Sequence, residues 1–229
     1  MIVWVASFPR SGNTFLRIVL NRLYGVRMSV IYDFDGVAER LGRDFVGFEE
    51  RPATFEAMRA SDAVHFIKTH AQRDERVAEA DHAICLVRDG RDSLVSWARQ
   101  VSESDPDRFE ARLAGMINNS DVRGTGSWGN NVLSWLETPA SHREVLSYEA
   151  LITRPRATVE RAVAAVAPDL LQDNEAEIPS FAELQTLDDR FFRRGHVGTH
   201  RRELPDHLHT LFWSRPDNVA AMQLLNIQR

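Results

Sequence analysis

Ser7-Phe8-Pro9-Arg10-Ser11-Gly12-Asn13-Thr14 decides the fold through what stands on either side of it. Before it, Ile2 to Ala6 is a short apolar run with β-branched residues and Trp4, the pattern of a buried strand. After it, Phe15, Leu16, Ile18, Val19, Leu20 and Leu23 recur at helical spacing until Tyr24-Gly25 ends the pattern. Strand, tight loop and helix open a phosphate-binding α/β fold, and the helix start presents backbone N–H groups to an anion. Set against the triphosphate loop G-x-x-x-x-G-K-[ST], Ser7 takes the place of the first glycine and Gly12 that of the second. Thr14 keeps the hydroxyl, but Asn13 stands where the lysine belongs, and the cation is Arg10, inside the loop. Without a lysine to span β- and γ-phosphates, the loop suits one phosphate-like group better than ATP or GTP.

Further strands read at Ala63 to Lys68, Ala83 to Val87 and Val145 to Tyr148. Helical patterns read from Asp92, an N-cap candidate, over Trp128 to Leu136, over Pro155 to Val166, and after Pro205 and Pro216. Residues 26 to 60 are poorly periodic apart from a short helix after Pro52, and residues 102 to 127 form a polar stretch around one helix. The alternation predicts an α/β fold: a parallel sheet flanked by helices on both faces, in one domain spanning residues 1–229. Ligands of such sheets bind at the carboxyl ends of the strands.

Composition narrows the partners. A formal net charge of −5 argues against a general nucleic-acid binder. The chain holds one cysteine, Cys85, so no internal disulfide forms. No run reaches the roughly 20 apolar residues of a membrane span, and the N-terminus lacks a signal-peptide pattern. The expectation is a cytoplasmic protein. Against the acidic average, Arg190 to Arg202 carries five arginines and two histidines with no acidic residue, either a solvated face or an anion site.

Two further segments carry chemistry. Lys68-Thr69-His70 ends a strand; a histidine facing a crevice there can take a proton from a hydroxyl nucleophile, or simply bond to a loop. In Arg88-Asp89-Gly90-Arg91-Asp92-Ser93-Leu94-Val95-Ser96, Arg88 follows a buried strand and Ser96 lies in the next helix. Both can face one anion, or Arg88 can pair with Asp89 or Asp92. No histidine spacing suggests a metal set, and no metal is expected.

Together these segments resemble the sulfotransferases that use 3′-phosphoadenosine 5′-phosphosulfate (PAPS), whose sheet-and-loop fold is similar to that of nucleotide-loop hydrolases. SFPRSGNTF resembles the family's 5′-phosphosulfate loop, which implies cofactor contacts from Arg10, Ser11, Gly12, Asn13, Thr14 and Phe15. KTH resembles its catalytic segment and implies His70 as general base, with Lys68 near the sulfuryl group. RDGRDSLVS is similar to the 3′-phosphate segment and implies roles for Arg88 and Ser96. GSWGNNVLSW resembles a Gly-Ser-Trp segment, VLSYEAL implies that Tyr148 reaches the adenine side from a strand, and PSFAEL that Phe181 helps enclose the adenine. FFRRGHVG resembles a late R-[KR]-G-x-x-G segment, which implies that Arg193, Arg194 and Gly195 close over the 3′-phosphate. Thr199-His200 departs from the usual Asp-Trp at that point. The resemblance implies sulfuryl transfer from PAPS, leaving 3′,5′-ADP, to a hydroxyl or amine of a small-molecule acceptor. A small-molecule kinase and a non-catalytic nucleotide-binding protein of similar fold are the alternatives. Phe34, Phe45, Phe48 and Trp97 can line an apolar acceptor pocket, or Asp33, Asp35, Glu49 and Glu50 can favour a cationic or sugar acceptor; oligomeric state is not readable.

Overall fold

The structure, a computed structural model, describes residues 1–118, 124–138, 142–192 and 195–228. Its strands are β1 (Ile2–Ser7), β2 (Met28–Val30), β3 (His65–Thr69), β4 (His82–Val87) and β5 (His142–Ser147). They pair in parallel in the order β2-β3-β1-β4-β5. The chain leaves β1 toward β2 and β3, then crosses to β4 on the other side, so the order reverses at β1. Ala6 lies opposite Thr69 and Ser7 opposite Leu86, which brings the Ser7–Gly12 loop, His70 and Arg88 to one end of the sheet, at the switch point where ligands of such sheets sit.

The helices are α1 (Asn13–Tyr24), α2 (Gly36–Leu41), α3 (Phe55–Ala60), α4 (Gly90–Val101), α5 (Phe109–Asn118), α6 (Trp128–Leu136), α7 (Tyr148–Thr153), α8 (Pro155–Val166), α9 (Phe181–Leu187), α10 (His200–Glu203), α11 (Asp206–Ser214) and α12 (Pro216–Leu224). One sheet face is covered by α1 and α8, whose Leu16, Val19, Leu20, Val159 and Val163 pack with Val3, Val5 and Ile84. Each such side chain contributes about 1.5–3 kcal/mol on full burial. The other face meets α3 and α6 through Met58 and Trp135, against Trp4, Ile67 and Cys85. Burial in β4 pushes the Cys85 thiol up to about 12.

Expected and observed elements differ where side chains rather than periodicity decide. β2 is a three-residue edge strand, too short to show a period. β5 ends at Ser147, because the Ser147 hydroxyl accepts from Ala150 N at 3.1 Å and starts α7. Tyr148 is therefore a helical residue and not the end of a strand. Asp89, not Asp92, caps α4: its carboxylate accepts from Arg91 N at 2.9 Å. At α9, Ser180 and Glu183 form a capping box that fixes Phe181 as the first helical residue. Among the described residues, no helix is long and apolar enough to cross a membrane.

Candidate active site

A cavity of about 570 Å³ opens at the carboxyl end of the sheet, within the size range of small-molecule sites. The loop after β1 forms one wall. Gly12 stands at the N-cap of α1 with φ 100°, and among the described residues no side-chain bond caps the helix start. The first amides of α1 therefore remain available to an anion. Gly12 is required twice over, since a Cβ there would also stand 2.8 Å from Tyr148 Cδ2. Arg10 holds φ 65° although it is not glycine, a conformation that costs on the order of 1 kcal/mol or more and tends to occur at ligand sites.

Arg10, Gly12, Asn13, Thr14 and Phe15 line the cavity; Ser11 does not. Ser11 is buried, its hydroxyl 3.4 Å from that of Ser93. The Asn13 amide turns back onto β1, donating to Ser7 Oγ at 3.1 Å. The Asn13 Oδ1 is buried with no hydrogen-bond partner among the described residues.

His70 stands beside the loop. Its Nδ1 lies 2.7 Å from the Ser7 carbonyl, and a carbonyl only accepts, so Nδ1 carries the proton. Nε2 is then the free lone pair of the neutral ring. The backbone of His70 is held on both sides: His70 N donates to Tyr32 Oη at 2.6 Å, and Asn131 Nδ2 donates to the His70 carbonyl at 2.9 Å. Burial first, then the charge of Lys68, hold His70 well below its usual pKa, with Arg17 and Arg10 adding to the effect. Lys68 is itself buried, its ammonium 5.3 Å from the centre of the Tyr32 ring.

A further cation, Arg88, lines the cavity against the same loop. Arg88 is buried, stacks 4.2 Å over the Tyr148 ring, and donates to the carbonyls of Arg10 at 2.9 Å and His196 at 3.1 Å. Its Nε is buried with no hydrogen-bond partner among the described residues. Ser96 lines the same cavity and accepts from Arg10 Nε at 3.2 Å. Thus Arg10 and Ser96, assigned from sequence to opposite ends of a ligand, meet here. Phe181 and Gly195 also line the cavity, and a Cβ at Gly195 would stand 2.7 Å from the Phe181 ring. Arg193 and Arg194 lie outside the described residues.

Sequence reasoning missed Tyr32 and the role of Arg17. Arg17 is fully buried on α1 and pairs with Asp35, which lines the cavity. Burial acts to raise the Asp35 pKa, but Arg17 and Lys68 outweigh it and hold the carboxylate ionised. A charge inside an otherwise apolar helix face was the available signal. Of the candidate acceptor residues, Phe34, Asp35 and Trp97 line the cavity, whereas Phe45 and Phe48 pack with α2. Among the described residues, no group of acidic, histidine and cysteine side chains could hold a metal ion.

A helix start without a side-chain cap, a buried histidine and buried cations thus surround one cavity at the carboxyl end of an α/β sheet. A family model described as a sulfotransferase domain matches residues 2–164, and the chain belongs to that family. Curated relatives include WSCD family members of Drosophila pseudoobscura pseudoobscura, 26% identical over 157 residues, and of Aedes aegypti, 27% identical over 161 residues. These matches cover 66% and 68% of this chain but 46% and 47% of the relatives, so the chain spans about half their length. Among solved structures, a mouse sulfotransferase complexed with PAP is similar with a TM-score of 0.67 at 18% identity, over 97% of this chain and 84% of that one. Retinol dehydratase, in complex with androsterone and the inactive cofactor PAP, has a TM-score of 0.62 at 15% identity, over 100% and 82%. At these identities the likeness is one of fold.

Proposed function

We propose that the chain transfers the sulfuryl group of PAPS to a hydroxyl or amine of a small-molecule acceptor, with His70 as general base. One observation carries this reading: His70 Nδ1 is committed to the Ser7 carbonyl, which leaves Nε2 as a base beside an uncapped anion loop. The residues fit the cofactor's two charged ends. Arg10, Lys68, Thr14 and the first amides of α1 would hold the 5′ end, while Arg88, with its unpartnered Nε, and Ser96 would hold the 3′-phosphate. Tyr148 and Phe181 would flank the adenine. When bound, PAPS supplies a sulfuryl group already activated by its bond to phosphate. His70 takes the acceptor's proton at Nε2, and the cations of the loop end offset the negative charge that develops there.

The acceptor is read as a hydroxyl on an apolar body. Phe34, Val37, Trp97, Phe191 and Phe192 line the cavity, while Asp35 is neutralised by Arg17 and is no free anion for a cationic acceptor. A panel of phenols, sugars and aminoglycosides with labelled sulfate tests this; faster turnover of the aminoglycosides would reverse it.

Calorimetric titration with 3′,5′-ADP, 5′-AMP and ATP tests the cofactor. The expected order places 3′,5′-ADP tightest. ATP with Mg²⁺ binding at least as well would instead indicate a kinase, and nucleotide binding without any transfer a non-catalytic protein.

The proton position gives a pH prediction. Because the folded pKa of His70 lies below its unfolded value of about 6.5, its ligand-free ring is expected to be neutral at that pH. Below pH ~6.5 the unfolded chain binds the proton first, so this group's contribution to stability is complete above that pH and declines as pH falls toward the folded pKa. Added 3′,5′-ADP, by offsetting Lys68 and Arg10, is expected to raise the midpoint read by NMR. A ligand-free midpoint at or above the ordinary value would contradict the assignment.

A further inference from the structure

Thr199-His200, the departure from the family pattern, sits at the start of α10 and faces Asp92 on α4. Asp92 is completely buried. Its Oδ1 accepts from His200 N at 2.9 Å, His200 Nδ1 at 2.8 Å and Thr199 Oγ1 at 3.2 Å, and its Oδ2 accepts from Gly198 N at 2.7 Å. Four donors converge on one carboxylate, three on Oδ1 and one on Oδ2. Because a carboxylate only accepts, His200 Nδ1 must carry a proton. Arg88 Nη2 adds a cation 3.7 Å from Oδ2. Burial alone would raise the Asp92 pKa, yet the His200 bonds, the Arg88 charge and the Gly198 amide outweigh it and keep the group ionised. At its other end α10 is tied to α4 again, where Arg99 Nε donates to Glu203 at 3.0 Å.

This double attachment fixes a particular stretch of chain. Gly195, His196 and Thr199 all line the cavity, and Arg88 donates to the His196 carbonyl. If the stretch lifted away, Asp92 would remain a buried carboxylate stripped of most of its donors, a costly state. The attachment therefore holds residues 195–200 against Arg88 without help from a ligand.

We propose that Asp92 and His200 are positioning residues that clasp this segment over the 3′ end of the nucleotide and so set the preference for a 3′-phosphate. The inference rests on the reading that Arg88 binds that phosphate. Neither residue touches the ligand; both act through Arg88 and the segment it bonds to.

The test measures the affinity ratio of 3′,5′-ADP to 5′-AMP by calorimetry, with melting temperature alongside, in the wild type, Asp92→Asn, His200→Leu and His200→Asn. Both Asp92→Asn and His200→Leu are expected to lose about tenfold or more of the preference for 3′,5′-ADP. Binding of 5′-AMP is expected to stay within about threefold, since the loop end is untouched. His200→Asn, whose amide nitrogen can take the place of Nδ1, is expected to restore most of the preference. Equal weakening of both nucleotides with a lower melting temperature would assign a merely structural role and overturn the clasp. An unchanged ratio overturns it too. Should Asp92→Asn fail to fold, the two His200 variants decide. A wild type with no preference at all would overturn the 3′-phosphate reading itself, and the clasp with it.

Discussion

Replacing His70 with alanine is expected to lower the transfer rate by about 10²–10⁴-fold while leaving 3′,5′-ADP affinity within about threefold. The separation follows from where the two functions sit. In the proposed function nucleotide charge would be met by Arg10, Lys68, Arg88 and the start of α1, whereas the imidazole bonds to the loop at Ser7. In that reading the proton acceptor would be Nε2 alone, because Nδ1 is committed to the Ser7 carbonyl. Turnover within about tenfold of the wild type would remove His70 from its assigned role. A parallel loss of nucleotide affinity would mean that the ring supports the cavity rather than the chemistry.

Arg88→Ala is expected to weaken 3′,5′-ADP by about 10²-fold or more, from the loss of bonds each worth roughly 1.5–3 kcal/mol to a charged group. The same variant is expected to change 5′-AMP by less than about fivefold, since that nucleotide lacks the 3′-phosphate. Removal of Arg88 also takes the cation from beside Asp92 and a stacking partner from Tyr148. The ratio between the two nucleotides is therefore the reading that isolates phosphate recognition, and an equal loss for both would count against it. Lysine is expected to restore only part of the ratio, because a point charge cannot reproduce the planar fork of a guanidinium.

The parts of this protein legible in sequence are those governed by local rules. The apolar run Ile2 to Ala6, the glycine at position 12 and the helical spacing after Thr14 fix strand, loop and helix within one short stretch. The match of Arg88 to Ser96, eight residues apart in sequence, places two polar groups in one cavity. What stayed hidden depends on partners far along the chain. Tyr32 reaches the site only because the β2 edge strand lies beside β3 and brings its hydroxyl to His70 N. Asp92 looked like a helix cap because capping residues and residues that reach outward share the same chemistry. The neighbouring Asp89 took the cap, which freed Asp92 for a segment more than a hundred residues away. Arg17 interrupted an apolar pattern, but nothing local named Asp35 as its partner.

The thiol of Cys85 gives these experiments an internal control. It is buried in β4 against the helices of one sheet face, and its pKa is pushed up to about 12, so alkylating reagents at neutral pH meet almost no thiolate in the folded chain. Reaction must wait until the sheet opens far enough to expose and solvate the sulfur. The labelling rate then reports the opening free energy of the central sheet, read at the one cysteine the chain contains. Each variant above carries that reporter already, so a lost activity and a lost fold can be told apart in the same sample.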